Sequence, residues 1–365
     1  METGIIGIPY IGKTTLFNAL TALGVASDGG GGRPNVGVAQ VPDARLATIN
    51  QYMETKKIMP ATIQLVDVAG LVAGASKGEG LGNKFLSHVR NVDALLHVVR
   101  CFDDPDVPHV AGSVDPVRDI EQVETELMLA DLEQVEAMAD KARRQARTGD
   151  REAKLRVEVI DACIAALGVG NTIASLLGEG GALHSQESQN VIRNIALLTA
   201  KPMLYVANVG EDDHEGHSEH ARHMAQYVRD RGGAVVCICA KLAAELVELD
   251  EADRTEMLEG LGLTEPALNV LARATYQLLG LHSFFTAGPK EIRAWTVPSG
   301  AHAPDAAGVI HSDLQRGFIR AEVYTVADLE QHHSEAAIRA AGKLRTEGKG
   351  YVIQDGDVCH ILFNV

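Results

Sequence analysis

The sequence predicts an α/β fold that carries an inserted helical arm and ends in a small separate module. Three stretches of different periodicity predict it. Over residues 1–118 and again over 201–281, short apolar runs alternate with helical patterns, as parallel strands joined by helices require. Over 119–200 the alternation stops and apolar residues recur at helical spacing. From 282 to 365 strand-like runs lie close together, separated by turn residues.

The first element sets the chemistry. Gly4-Ile5-Ile6 reads as the end of a buried strand, and Leu16-Phe17-Asn18-Ala19-Leu20 as a helix. Between them stands Gly7-Ile8-Pro9-Tyr10-Ile11-Gly12-Lys13-Thr14-Thr15, a Walker A phosphate loop in its strand–loop–helix setting. Gly7 and Gly12 permit a backbone that aims successive N–H groups at phosphate oxygens, and the helix N-terminus adds partial positive charge. Lys13 is placed to reach the β- and γ-phosphates, and the Thr14 hydroxyl to ligate Mg²⁺.

Composition narrows the partners. The 365 residues suffice for two or three domains, and 46% hydrophobic content supports cores built on aliphatic residues, since aromatics make up only 4%. A net charge of −16 excludes a general nucleic-acid binder, so any RNA contact needs a local basic patch. Cys101, Cys163, Cys237, Cys239 and Cys359 are scattered without zinc spacing and read as reduced thiols of a cytoplasmic protein. No signal peptide or membrane span is expected.

Next in order comes Ser27 to Pro34 with four consecutive glycines, either a nucleotide-sensing switch or an inert loop. Val36 to Val41 reads as a strand, and Asp43 as the cap of a following helix. Thr62 to Asp67 is a strand that opens Asp67-Val68-Ala69-Gly70, a D-x-x-G motif. Asp67 would hold Mg²⁺ and the Gly70 N–H would sense a γ-phosphate. Leu71 stands where many GTPases keep a water-positioning glutamine. Gly74 to Gly82 reads as a second switch or a solvated loop. Asp93 to Arg100 is a buried strand in which His97 reads as a core residue. His109, by contrast, lies in a Pro-rich loop beyond the ligand-side end of that strand.

The arm reads as a helical pair turning at Thr148-Gly149-Asp150, with Lys141, Arg143, Arg144, Arg147, Arg151, Lys154 and Arg156 around its tip. That cluster is either a contact for RNA or an acidic partner, or a solvated helix end. Pro202 to Asn208 resumes the strands and leads into Asn208-Val209-Gly210-Glu211, where GTPases carry N-K-x-D. Without that Asp a purine site remains, but guanine selectivity is not assured. Ala234 to Cys239 is the last strand of this part, with Ala240-Lys241 near the base loop. The C-terminal module reads as mostly β, with strands at 291–297, 318–324, 351–353 and 359–363 and a turn at Asp355-Gly356.

These motifs together resemble the YchF, or Obg-like, ATPases nearly end to end. The resemblance is carried by Gly7 to Leu20, Asp67 to Leu86, Val98 to Phe102, Ala207 to Glu211, Phe285 to Trp295, Gly350 to Asp357 and Phe363 to Val365. It implies a Ras-like P-loop nucleotide domain (1–118 and 201–281), an inserted coiled-coil arm (119–200) and a small α+β TGS domain (282–365). It implies a slow ATPase, with Asn208, Val209 and Glu211 favouring ATP over GTP. It also implies a cytoplasmic, ribosome-associated regulator of translation or stress, with RNA contact through the arm tip and the TGS domain. The family's catalytic histidine falls on His109. In this reading Gly7, Tyr10, Ile11, Gly12, Lys13, Thr14 and Thr15 hold the phosphates, and Thr14 and Asp67 hold Mg²⁺.

Two positions depart from the family pattern. Tyr10 replaces an asparagine whose carbonyl can meet a monovalent cation, which counts against potassium-stimulated hydrolysis. Gly31 stands where a Mg²⁺-facing threonine is expected, which suggests differently gated turnover with nucleotide binding intact. The alternatives are an Obg-type GTPase and a nucleotide-gated adaptor that hydrolyses little.

Overall fold

The computed structural model describes residues 1–364 apart from 25–33, 54, 69, 71–80, 148 and 179, together with the backbone but not the side chains of 81–84. In chain order they form β1 (Glu2–Ile6), α1 (Lys13–Thr21), β2 (Asn35–Val41), α2 (Arg45–Tyr52), β3 (Ile58–Met59), β4 (Ala61–Asp67), α3 (Leu81–Asn91) and β5 (Ala94–Arg100). There follow α4 (Pro116–Ala146), α5 (Arg151–Gly168), α6 (Ala174–Leu177), α7 (Gln186–Ile195), β6 (Met203–Asn208), α8 (Glu219–Asp230), β7 (Ala234–Ile238), α9 (Ala240–Glu248), α10 (Glu251–Gly260) and α11 (Ala267–Leu278). The chain ends with β8 (Leu281–Ala287), β9 (Ile292–Pro298), α12 (Ala303–Ile310), α13 (Ser312–Arg316), β10 (Phe318–Thr325), α14 (Val326–His332), α15 (Glu335–Ala340), β11 (Arg345–Glu347) and β12 (Asp357–Phe363).

Two compact units result. The first takes in Met1–Gly37 and Gln64–Leu268, the second Val38–Ile63 and Asn269–Val365. The chain therefore leaves the first unit within β2 and re-enters it within β4.

The first unit is built on a sheet of order β2-β4-β1-β5-β6-β7. β1 runs parallel to β4 and β5, β5 to β6, and β6 to β7. The all-buried run of β5 reflects its central place in the sheet. Register sets Ile5 beside Asp67, Ile6 beside His97, and Arg100 beside Asn208. The phosphate loop, Asp67, Arg100 and Asn208 thus share the C-terminal edge of the sheet, where open α/β sheets bind ligands.

The helical arm opens at Asp115, whose side chain accepts the Arg118 N–H, with Pro116 in the first turn. Gly149, at φ +86°, makes the expected turn, and Asp150 caps α5. Val135, Ala139 and Ala142 of α4 bury against Val159, Ile160 and Cys163 of α5 and Ile192 and Ile195 of α7. Buried Asp131 accepts the Leu198 and Thr199 amides, each at 2.8 Å, and so fixes the return of the chain.

The second unit holds a sheet of order β11-β10-β12-β8-β9-β3. Its edge strand β3 and helix α2 come from residues 38–63. Arg45 donates to Asp43 and to Asp355, and its guanidinium lies 5.0 Å from the Phe285 ring centroid. Asp43, expected to cap α2, lies one residue before the cap position, which Ala44 takes, and accepts the Arg45 N–H at 3.0 Å. The expected strand at 351–353 is not formed. Val352 makes an isolated bridge to His302, and β12 pairs instead with β10 and β8. Four helices, α12 to α15, make this unit more helical than the sequence pattern suggested.

Candidate nucleotide site

The loop between β1 and α1 owes its course to two glycines. Gly7 has φ +145°, and a Cβ there would lie 2.4 Å from Ile11 Cδ1 and 2.6 Å from the Val98 carbonyl oxygen. Gly12 has φ +88°, and a Cβ there would lie 2.5 Å from Asn208 Nδ2. Only glycine fits either place. Ile11 is buried and anchors the loop from below, whereas Tyr10 stands 68% exposed at φ 60°. A left-handed tyrosine is a strained position that the loop's fixed ends impose. Thr15 is exposed at the start of α1.

Lys13 is buried, and its ammonium donates to the Ile8 carbonyl at 2.5 Å. Burial pushes it down from 10.5 to about 8, against the pull of the Asp67 charge. The Thr14 hydroxyl donates to Asp67 Oδ2 at 3.0 Å, so the two expected metal-holding oxygens meet across loop and strand. Burial raises the Asp67 carboxyl, while hydrogen bonds from Thr14 and Asn35 and the Lys13 charge oppose the rise. Asn35, at the start of β2, is a partner the sequence reading missed. Gly70 completes the group: a Cβ there would lie 3.0 Å from Pro9 N, so the D-x-x-G glycine abuts the phosphate loop. Among the described residues no group of three or more His, Cys, Asp or Glu could hold a metal. One carboxylate and one hydroxyl suit Mg²⁺, which draws its remaining ligands from phosphates and water.

The residues expected to read the base are tied into the protein. Asn208 is 3% exposed, and its amide bonds protein at both ends: Nδ2 donates to the Ile11 carbonyl at 2.8 Å, and Oδ1 accepts the Ala240 N–H at 3.0 Å. It ties the phosphate loop to the start of α9. The Val209 N–H donates to the Ile238 carbonyl at 3.0 Å, and its side chain is core. The Asn208 amide nitrogen carries two N–H donors, and the bond to Ile11 uses one of them. Glu211 is half-exposed and forms an ion pair with Lys241, in the first turn of α9. Cys239 caps that helix, its sulfur accepting the Leu242 N–H at 3.5 Å. Helix-cap logic could have flagged this position, though cysteine is not a usual cap.

His109 is also held within the protein. Nε2 lies 2.8 Å from Asp119 Oδ2, Nδ1 accepts the Ala111 N–H at 3.1 Å, and the side chain is only 4% exposed. The ring is docked on α4. His97, read as a core residue, is indeed 1% exposed, and its Nδ1 has no hydrogen-bond partner among the described residues. Gly31, Leu71 and the two glycine-rich switch stretches, other than Pro34 and, in α3, Leu81 and Gly82, lie outside the described residues. In the arm tip, Arg143 pairs with Asp161 at 2.7 Å, which removes part of its charge from the basic cluster.

Comparison with known proteins agrees with this arrangement. A family described as 50S ribosome-binding GTPase matches residues 2–145. The YchF-GTPase C-terminal family, described as a protein of unknown function, matches 281–364. The chain is 46% identical over its full length to the ribosome-binding ATPase YchF of Haemophilus influenzae, covering 99% of that protein. It is 44% identical to the Bacillus subtilis protein of the same name, with both chains wholly covered. The solved Schizosaccharomyces pombe YchF GTPase is 33% identical and superposes with a TM-score of 0.86 over 99% of this chain and 97% of that one. With relatives this similar along the entire length and the phosphate loop, Asp67 and Gly70 gathered at one sheet edge, the chain belongs to the YchF family.

Proposed function

We infer that this protein is a Mg²⁺-dependent, slow ATP-hydrolysing switch that docks on the ribosome in the cytoplasm. The observation that carries the reading is the meeting of Lys13, Thr14, Asp67 and Gly70 around one phosphate loop. The relatives' name, ribosome-binding ATPase, supports both the nucleotide and the partner. No described helix is long and apolar enough to cross a membrane.

In this reading the loop amides of 7–15 and Lys13 hold the triphosphate, and Lys13 recovers its full charge beside it. Thr14 and Asp67 would hold Mg²⁺, which supplies charge neutralisation between the phosphates. Asn208 fixes the loop and the start of α9 together, and its second amide N–H meets the adenine. Glu211, paired with Lys241, is not set to accept two guanine N–H bonds, which favours adenine. His109 guides the attacking water once it leaves Asp119. Tyr10 offers no amide carbonyl to a monovalent cation, so hydrolysis is insensitive to potassium. The arm's basic tip and the C-terminal unit are the surfaces that meet ribosomal RNA.

The docked His109 also favours a second reading, an adaptor that binds ATP and hydrolyses it only when a partner remodels the loop. Calorimetry of ATP and GTP with Mg²⁺ tests the first part. ATP tighter by about tenfold or more, 1.4 kcal/mol, supports it; equal or tighter GTP sinks it. Single-turnover hydrolysis with and without ribosomes separates the enzyme from the adaptor.

A further inference from the structure

The geometry points to Arg100 and Asp119 as positioning residues for His109 that act in opposite directions. The inference rests on His109 being the group that guides water. Arg100 ends β5 and is among the largest fully buried side chains. Its guanidinium meets carbonyls of one loop: Nε donates to Phe102 at 3.0 Å, Nη1 to Val107 at 2.8 Å and Nη2 to Asp104 at 3.2 Å. It also lies 4.7 Å from the Phe102 ring centroid. A rigid planar fork can pin three carbonyls at once, which the compact ammonium of lysine cannot copy. Residues 102–107 are thereby held against the end of the strand.

His109 lies just past that anchored stretch. A backbone N–H can only donate, so the bond from Ala111 leaves Nδ1 bare and puts the ring proton on Nε2, which donates a hydrogen bond to Asp119. Asp119 is itself 2% exposed and held by Arg118 at 3.1 Å. With both nitrogens engaged, the ring has none left for a water. Turnover therefore needs the segment from Pro108 to Gly112, which ends at φ +78°, to leave Asp119 while Arg100 keeps 102–107 in place. Asp119 stores the histidine, and Arg100 supplies the fixed point from which it moves.

The test is single-turnover ATP hydrolysis and ATP affinity of the full chain, for Asp119→Ala, Asp119→Asn and Arg100→Lys, each with and without His109→Ala. Asp119→Ala should speed hydrolysis by about tenfold, the worth of a hydrogen bond to a charged group. Asp119→Asn, which keeps an acceptor, should give a smaller gain, and it serves if the alanine variant fails to fold. Arg100→Lys should slow hydrolysis by about tenfold with ATP affinity held within about twofold. With His109→Ala present, neither change should alter the rate further. Overturning results would be slower or unchanged hydrolysis in both Asp119 variants, or an Arg100→Lys loss that is equal in the His109→Ala background. His109→Ala hydrolysing at the wild-type rate would instead overturn the reading of His109 itself.

Discussion

Replacing Asn208 by alanine removes both ends of one buried amide. The Ile11 carbonyl loses a donor at 2.8 Å and the Ala240 N–H loses an acceptor at 3.0 Å, at a residue 3% exposed. Each buried group left unpaired costs about 1–3 kcal/mol. The Cys239 sulfur already serves Leu242 and offers Ala240 nothing. The expected loss of unfolding free energy is about 3 kcal/mol, read by urea denaturation with the slope unchanged. ATP affinity should fall as well, by more than about tenfold, because Ile11 lies inside the phosphate loop. A stricter test uses Gly12, where a Cβ would sit 2.5 Å from Asn208 Nδ2. Gly12→Ala brings that collision together with about 1–2 kcal/mol of left-handed backbone strain. In the Asn208→Ala background the collision is gone and only the strain remains, so the double variant should lose less than the sum of the two. A loss under about 0.5 kcal/mol for Asn208→Ala, or strict additivity of the pair, would refute the reasoning.

Three further outcomes are expected. Lys13 loses its proton through about 8 in the free protein, and phosphate favours the charged form. ATP affinity should therefore be level below that pH and fall about tenfold per unit above it; calorimetry in two buffers at pH 9 should show proton uptake, and its absence would contradict the assignment. His97 is pushed from 6.5 to about 3 by burial and then by Lys13. Its folded pKa is depressed, so its share of stability is intact above about pH 6.5 and declines as pH falls toward 3, by about 1.4 kcal/mol per unit. His97→Leu should shrink the stability lost between pH 7 and 5 by about 2 kcal/mol, and equal losses in variant and wild type would count against it. In the second unit, burial alone would raise Asp355, but Arg45 and the Ser283 amide hold it below the usual carboxylate range. Arg45→Ala should cost about 1 kcal/mol after discounting for exposure. That loss should vanish as pH falls through the carboxylate range, and a gap between the urea midpoints that persists at pH 2 would exclude this source.

The phosphate loop and the D-x-x-G strand end were legible because their signals are local: glycines where the backbone turns, apolar runs on either side, and a carboxylate at a strand end. The arm was legible for the same reason, with Asp115 and Asp150 capping helices whose apolar period is plain. What escaped depends on partners far along the chain. The reach of the Asn208 amide to Ile11, 197 positions away, has no local signal. The Pro-rich loop placed His109 on the ligand side of the sheet but gave no sign of Asp119, on the next helix, as its partner. Tyr351 to Ile353 had strand composition, but their neighbours are Ala301 and His302 rather than a hairpin partner.

The excursion of Val38–Ile63 into the second unit has a consequence for synthesis. These residues supply an edge strand and a helix to a sheet whose other members are translated about two hundred residues later. At roughly 5–20 residues per second, that is a wait of about 10–40 s. Throughout it Ile58 and Met59 have no β9 to pair with, and Arg45 has no Asp355. The nascent nucleotide unit must close its sheet around a hanging segment of 26 residues, and the second unit cannot finish folding until the last strand has left the ribosome.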